Sequence, residues 1–245
     1  DMAHKALYFQ NIETDIIPCD KMRDFSGYSM LVIPPLYVAD DSLLMAIDRF
    51  VKDGGYVVMM HKSGYCNEHS AVRPTLAPGP LRKACGFYYQ EYSTIPGMKL
   101  KDDAFGLGDQ NSINTWYEFL VPETARALAY GDHPFFGRWP VITENDYGKG
   151  KLIYIGAYPS QELLDRIVRK AAVDKGIIAD SEVRFPIIKR SGVNAKGKKI
   201  DYIFNYSMTP AKVVYDHGKG VSLLDGKRMS AGDSITLDAW DVAIM

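Results

Sequence analysis

Residues 28–60 read YSMLVIPPLYVADDSLLMAIDRFVKDGGYVVMM, a run that predicts a strand, a helix and a second strand. Residues 31–33 are an unbroken apolar stretch, which is typical of a strand buried on both faces. The Asp-Asp-Ser sequence at 40–42 supplies capping oxygens and negative charge at a helix start. Gly54 and Gly55 supply a left-handed C-cap. Two strands joined by one short helix imply a right-handed parallel crossover, and therefore an open α/β sheet.

The composition excludes several classes of partner. The chain has 245 residues, of which 47% are hydrophobic and 24% charged, as in ordinary globular proteins. A net charge of −1 gives no electrostatic basis for binding nucleic acid or an anionic membrane. The three cysteines, Cys19, Cys66 and Cys85, have no metal-like spacing. We therefore expect a reducing, cytoplasmic compartment and neither a metal nor a cofactor.

The sequence pattern changes near residue 179. Before that point helical and strand patterns mix, with a tight turn at 147–151 and an amphipathic helix at 159–175. After it, short alternating runs separated by turn residues predict a small antiparallel β-sandwich. We therefore predict two domains, residues 1–178 and residues 179–245.

The first domain begins unusually. Residues 3–10 have a helical pattern, and no strand pattern precedes them. Because doubly wound sheets usually open with a strand, we expect the first strand of this domain to be absent from the sequence.

Several short motifs occur in a fixed order along the chain. They are the run at 31–55, KSGYCNE at 62–68, PGPLR at 78–82, YGKGK at 147–151, NYSMTP at 205–210 and LLDGK at 223–227. In this order they resemble the C-terminal half of family 42 glycoside hydrolases, the retaining β-galactosidases. The resemblance implies a flavodoxin-like trimerisation domain, related in fold to class I glutamine amidotransferases, followed by a small β-sandwich.

The resemblance also implies what this region does. In that family a preceding (β/α)8 barrel carries both catalytic carboxylates. The resemblance therefore implies a non-catalytic assembly region that forms a homo-oligomer, a trimer, with no catalytic residue of its own. Cleavage of terminal β-galactosides in carbohydrate metabolism would belong to the parent protein through the barrel.

Tyr65, Asn67 and Glu68 lie in the long loop at 62–78, directly after the second predicted strand. Loops at the carboxyl ends of parallel strands line ligand crevices. A retaining glycosidase needs two carboxylates about 5 Å apart on a rigid frame, whereas Glu68 lies in a loop, so we expect it to be exposed. In a trimer this loop is a candidate for the rim of a neighbouring subunit's active site. We expect the three tryptophans either to stack on sugars or to pack in a core or an interface; they are Trp116, Trp139 and Trp240.

Two rival functions stay open. One is a stand-alone amidotransferase-like hydrolase with Cys66 as its nucleophile. However, the sequence around Cys66 lacks the second glycine of a nucleophile elbow, and Cys66 follows Met60 by six residues. We therefore expect a thiol of ordinary reactivity. The other rival is a flavodoxin-like module that binds a small molecule. His61 and His69 lie near Cys66 without the spacing of a zinc site.

Overall fold

The computed structural model describes residues 1–20, 22–180 and 182–245. The helices are α1 (Met2–Tyr8), α2 (Asp41–Lys52), α3 (Arg82–Cys85) and α4 (Gln161–Asp174). The first ten strands are β1 (Met30–Ile33), β2 (Tyr56–Met60), β3 (Phe87–Tyr88), β4 (Tyr92–Lys99), β5 (Ser112–Glu118), β6 (Val121–Pro122), β7 (Arg126–Tyr130), β8 (Pro140–Tyr147), β9 (Gly150–Ile155) and β10 (Ala157–Pro159). The remaining strands are β11 (Ile187–Val193), β12 (Lys199–Asn205), β13 (Ala211–Val214), β14 (Gly220–Val221), β15 (Arg228–Met229), β16 (Ser234–Leu237) and β17 (Val242–Ile244).

These residues group into two compact units. The first contains Asp1–Ala6 and Asp15–Ile178, and the second contains Leu7–Thr14 and Ala179–Met245. The predicted first domain, residues 1–178, therefore differs from the observed first unit at residues 7–14. Within the described part of the chain, no helix is both long and apolar enough to cross a membrane.

Asn11 explains why a segment near the start groups with the second unit. Its side-chain amide donates to the carbonyl oxygens of Val183 (2.8 Å) and Ile187 (3.1 Å). Its Oδ1 accepts the backbone N–H of Lys189 at 2.9 Å. Such side-chain bonds to distant backbone are not visible in a local sequence pattern, so the sequence did not predict this grouping.

The main sheet of the first unit has the strand order β1-β2-β9-β8-β7. β1, β2 and β9 are parallel, as predicted. β8 pairs antiparallel with both β9 and β7, so the sheet is mixed and differs at this edge from the open parallel sheet that the flavodoxin-like resemblance implies. The reason is the predicted tight turn, which joins β8 directly to β9. Tyr147 pairs with Gly150 across two residues, and Gly148 takes the left-handed conformation (φ +61°) that such turns require.

The crossover from β1 through α2 to β2 has the caps that its sequence predicts. Asp40 Oδ1 accepts the backbone N–H of Leu43 at 2.7 Å. At the other end, the N–H of Gly55 bonds the carbonyl oxygen of Phe50 (2.8 Å), and Gly54 has a φ of +121°. These contacts form the Schellman arrangement that ends a helix. One face of α2 is buried against the sheet.

β1 and β2 differ in burial. All five residues of β2 are buried, whereas every residue of β1 is only partly buried. The expectation that residues 31–33 are covered on both faces is therefore wrong. β1 is the edge strand of its sheet, so one of its sides has no neighbouring strand among the described residues.

The rest of the first unit is antiparallel. β10, β5 and β4 form a three-stranded sheet, and β3 pairs with β6. β3 and β4 are separated by three residues, 89–91. The predicted helix at 159–175 is observed as α4, with Ser160 Oγ accepting the backbone N–H of Leu163 at 3.1 Å.

The second unit is antiparallel throughout, as predicted. It contains the sheet β11-β12-β17 and the pairs β13-β16 and β14-β15. Its core takes side chains from both the three-stranded sheet and the β13-β16 pair: Ile187, Ile203, Val213, Ile235, Leu237 and Ala243. Two layers that share one core are what a sandwich requires, so the β-sandwich remains our prediction for this unit.

Candidate functional site

Side chains from four segments of the first unit meet near the carboxyl ends of β1 and β2. We call them the aromatic cluster: Tyr37, Lys62, Tyr65, Tyr92 and Trp116. Tyr37 comes from the loop after β1, Lys62 and Tyr65 come from the loop after β2, and the other two come from β4 and β5. The carboxyl ends of parallel strands are where α/β sheets usually bind ligands, so this is the natural place for a site.

Ring contacts order the aromatic cluster. The Tyr92 and Trp116 rings stack with centroids 3.9 Å apart, and the Tyr37 and Tyr65 rings stack at 5.6 Å. Tyr65 meets Tyr92 edge to face at 6.2 Å. Lys62 Nζ lies 3.7 Å from the Trp116 centroid, within the range of a cation–π contact. Tyr37 remains 44% exposed and Tyr92 43% exposed, so the cluster presents preordered aromatic surface to solvent.

Glu118 is the buried polar group beneath the aromatic cluster. Its Oε1 accepts the backbone N–H of Lys62 (2.7 Å) and the indole N–H of Trp116 (3.1 Å). Its Oε2 accepts the Tyr154 hydroxyl at 2.8 Å. Burial raises the pKa of the Glu118 carboxyl, although these hydrogen bonds favour the ionised form. Glu118 therefore ties the end of β2 to β5 and fixes the Trp116 ring.

Lys62 has a backbone conformation that is uncommon for a residue with a side chain. Its φ is +61°, and it follows β2 after a single residue, His61. The left-handed region costs a non-glycine residue about 1–2 kcal/mol. The hydrogen bond from the Lys62 N–H to Glu118 and the stacking of its ammonium group on Trp116 offset that cost.

The three predicted binding residues divide between two places. Tyr65 belongs to the aromatic cluster. Asn67 and Glu68 lie at the tip of the loop instead, where Asn67 Oδ1 accepts the backbone N–H groups of His69 and Ala71, both at 3.0 Å. Glu68 is exposed, as expected, and lies 3.6 Å from the His69 ring. Asn67 therefore shapes the tip, and Glu68 is free to point into solvent.

Cys66 does not occupy a nucleophile position. It is buried and forms isolated bridges with Val38 on one side and Val72 on the other. The sharp turn that follows β2 carries Lys62, not a thiol. Nothing in this geometry supports the amidotransferase-like hydrolase. The ordinary reactivity of the thiol remains a prediction.

His61 is another buried titratable group at this edge. Burial, reinforced by neighbouring Lys62, lowers the pKa of His61 to about 4, so the ring is neutral at pH 7. Its ring lies 5.9 Å from that of Tyr158, edge to face. Throughout residues 1–20, 22–180 and 182–245, no three His, Cys, Asp or Glu side chains are placed to hold a metal ion.

A second aromatic group packs on the opposite face of β5, and we call it the Phe135 group: Phe119, Phe135, Phe136, Arg138 and Trp139. Phe119 stacks on Trp139 at 4.4 Å, and the Arg138 guanidinium lies 4.0 Å from the same indole. Phe135 is 51% exposed. Aromatic rings and arginine are the residue types that contribute most binding energy at protein interfaces.

In and beneath the aromatic cluster, sequence reasoning missed four residues: Tyr37, Lys62, Tyr92 and Glu118. It also missed every member of the Phe135 group except Trp139. One signal was available, because Trp116 and Glu118 of β5 alternate with Tyr117 and with Phe119, the residue that follows the strand. A glutamate inside an aromatic strand is an indication of a buried, hydrogen-bonded carboxyl. The contacts of Tyr37 and Tyr92 depend on loops and a distant hairpin, for which no local signal exists.

Known proteins match the chain from end to end. Residues 3–178 match the β-galactosidase trimerisation domain, and residues 194–245 match the β-galactosidase C-terminal domain. β-Galactosidase LacA of Lactobacillus acidophilus is 28% identical over 246 residues, covering 99% of this chain and 35% of that protein. β-Galactosidase BgaB of Geobacillus sp. (strain Y412MC61) is 26% identical over 249 residues, covering 99% of this chain and 35% of that protein. The crystal structure of β-galactosidase from Bacillus circulans sp. alkalophilus has a TM-score of 0.82 and 25% identity, covering 99% of this chain and 36% of that one.

The order of these two matched domains defines the assembly region of a glycoside hydrolase. The chain belongs to the β-galactosidases of family 42, as their trimerisation domain followed by their C-terminal domain. It spans about a third of the length of the curated relatives it matches. A trimerisation domain joins copies of its own chain, so homo-oligomeric assembly follows from this membership.

Proposed function

We propose that this region assembles three copies of its protein and thereby supports a β-galactosidase that cleaves terminal β-galactosides. The observation that carries the proposal is the match of the trimerisation and C-terminal domains, in order, over nearly the whole chain. The reaction belongs to the longer protein and takes place in the cytoplasm, without a metal or cofactor held by this region. The free thiols Cys19, Cys66 and Cys85 are in keeping with a reducing compartment.

Assembly by threefold symmetry sets a geometric requirement. A closed trimer is built from heterologous contacts, in which one surface of each subunit meets a different surface of the next. The first unit offers two separate exposed aromatic surfaces, the aromatic cluster and the Phe135 group. In this proposal one protomer's aromatic cluster packs near its neighbour's Phe135 group, over a total interface of about 1,600 Å².

The loop tip has a second role in the proposal. Tyr65 is fixed by its ring contacts, and Asn67 is fixed by its two backbone bonds. Both therefore hold Glu68 outward from the subunit, where it would reach the rim of a neighbour's active site. Glu118 is not a candidate for the chemistry, because it is buried and already accepts three hydrogen bonds.

The fold proposal accompanies the functional one. A parallel β1-α2-β2 crossover that ends in a sharp turn at Lys62 supports a flavodoxin-like unit related to class I glutamine amidotransferases. In such a unit Lys62 stands where the relatives that hydrolyse glutamine would place their nucleophile.

The heterologous contact leads to a specific experiment with two variants. Tyr92→Asp places a charge in the aromatic cluster, and Phe135→Asp places one in the Phe135 group. Each variant alone should lose the trimer, because every contact in the ring is damaged. An equimolar mixture should form a dimer, because one intact pair of surfaces remains.

Val193→Ser, an exposed position in the second unit, is the matched control and should leave the mass unchanged. Light scattering after size exclusion measures all four samples. A mixture that stays monomeric would rule out this pair of surfaces, and two single variants that remain trimeric would do the same.

A further inference from the structure

Four aromatic rings form a row along β12 and the turn beside it, in the second unit. Tyr202 and Phe204 lie on the face of β12 opposite to Ile203, which belongs to the core. We call Tyr202, Phe204, Tyr206 and Trp240 the aromatic row. Its neighbouring rings have centroids 6.4, 5.7 and 6.4 Å apart, in that order. Tyr202 is 36% exposed, Tyr206 40% and Trp240 62%, so the row is open to solvent.

Asn205 joins the two segments that carry Tyr206 and Trp240. Its buried side-chain amide donates to the carbonyl oxygens of Thr209 and Asp238, both at 2.8 Å. One bond therefore goes to the segment after β12, and the other goes to the segment before β17. Because the two rings are held in place before any ligand arrives, less conformational entropy is lost on binding.

Trp240 combines a strained backbone with an exposed side chain. Its φ is +59°, which is rare for a bulky residue. The indole N–H donates to the Met208 sulfur at 2.9 Å, and the ring meets that of Tyr206 edge to face. Packing of the core gives no reason to hold a large ring in water at the cost of backbone strain. Strain of this kind concentrates at functional sites.

Polar groups beside these rings have no protein partner. Within the described part of the chain, no hydrogen bond or ion pair involves the hydroxyls of Tyr202 and Tyr206 or the carboxylate of Asp238. Ring faces together with a few free polar groups are what a small-molecule site requires. The carboxylate lies two residues from Trp240, so this end of the row disfavours an anionic ligand.

The size of the aromatic row favours a small ligand over a protein partner. An aromatic side chain has about 150–250 Å² to bury, and the exposed fractions given above reduce this to about 300–400 Å² for the whole row. Each partner in a stable protein interface contributes about 800 Å². The same face is closed on the β11 side, where Ile188 is buried and the Arg190 guanidinium lies 4.5 Å from the centre of the Tyr8 ring.

We propose that the aromatic row binds a neutral, galactose-containing oligosaccharide. Sugar rings would stack on Trp240 and Tyr206, and their hydroxyls would bond the Tyr202 hydroxyl and the Asp238 carboxylate. Galactose suits stacking on an aromatic ring, because its axial hydroxyl lies on one face and leaves a continuous patch of C–H groups on the other. The choice of galactose rests on the function proposed above, whereas the binding of a neutral sugar rests on the row itself.

Affinity electrophoresis of the complete chain tests the proposal. A native gel that contains a soluble β-linked galactan should retard the chain, and a gel that contains dextran should not. Trp240→Ala and Tyr202→Ala, at opposite ends of the row, should each raise the dissociation constant about three- to tenfold. Tyr158→Ala removes a comparably exposed ring (42%) from the first unit and should leave the retardation unchanged. Thermal unfolding identifies a variant that fails to fold, and the other variant then decides.

No retardation by galactan, or retardation that both alanine variants keep in full, would overturn the proposal. Equal retardation by dextran would rule out the galactose site. Light scattering on the same samples measures their mass, and a smaller mass for Trp240→Ala with unchanged retardation would show that the row contacts a second copy instead. Mass and retardation are separate readouts. A monomer that binds galactan would contradict only the trimer, and a trimer that binds none would contradict only this site.

Discussion

Replacing Glu118 with alanine should destabilise the first unit more than any other single change near the aromatic cluster. The substitution leaves three donors without their acceptor: the Lys62 N–H, the Trp116 indole and the Tyr154 hydroxyl. An unsatisfied buried donor costs about 1–3 kcal/mol. Tyr154 is fully buried, whereas water reaches the half-buried Lys62 and Trp116. We therefore expect a loss of about 2–4 kcal/mol in the free energy of unfolding.

Glu118→Gln is the matched variant. It keeps one oxygen for Lys62 and Trp116, and the Tyr154 hydroxyl can turn to accept from the new amide. We expect a change within about 1 kcal/mol, the size of one ordinary hydrogen bond. Glu123→Ala is the surface control, because its ion pair with Arg82 is half-exposed and such pairs contribute about 0–1 kcal/mol. Urea unfolding followed by tryptophan fluorescence measures all three, and an alanine variant as stable as the glutamine variant would refute the reasoning.

The pH dependence gives an independent check on the same carboxyl. Burial raises the folded-state pKa of Glu118 above its unfolded value of 4.5. Between those two values the folded protein binds more protons than the unfolded chain, so this group lowers stability as pH rises through the window. Glu118→Gln cannot titrate. Its stability relative to the unmodified protein should therefore increase from pH 4 to pH 7, and a decrease would contradict the raised pKa.

Three further outcomes concern chemistry and backbone. The chain alone should not hydrolyse a chromogenic β-galactoside, and turnover that Glu68→Gln abolishes would contradict the assembly role. A native thiol assay should modify exposed Cys19 quickly, and buried Cys66 and Cys85 only on unfolding. Rapid modification of Cys66 with accompanying glutaminase activity would favour the amidotransferase-like hydrolase. Lys62→Gly should change the free energy of unfolding by less than about 1 kcal/mol. The β-branched variant Lys62→Val should lower it by more, because φ is positive at this position. Equal thermal unfolding of the two variants would contradict that conformation.

The elements that local chemistry determines were predictable from the sequence. Asp40 and Gly54 mark the ends of α2, and both act as the caps that their residue types indicate. The turn at Gly148 likewise follows from glycine's access to positive φ. These features depend on residues close together in the chain, so the local sequence is enough to predict them.

The features that were missed depend on long-range pairing. The partial burial of β1 follows from its position at the edge of the sheet, which its own sequence does not indicate. Residues 7–14 group with the second unit through Asn11, whose bonds reach more than 170 residues along the chain.

The candidate site was likewise predictable from the sequence only in part. The loop carrying Tyr65 was predicted from its length and its place after a parallel strand. The partners that order it were not, because Tyr92 and Trp116 come from a separate hairpin. Glu118 joins them through hydrogen bonds that only the packed structure brings within reach.

The assembly role is tested most directly by the molar mass of the unmodified chain in solution. Sedimentation equilibrium over a hundredfold range of concentration would separate the possibilities. Three chains of 27.4 kDa give about 82 kDa, and the proposal predicts that the mass rises toward this value with concentration and does not exceed it. A mass that stays at 27.4 kDa at every concentration, in a protein that remains soluble, would show that this region is not an assembly element by itself.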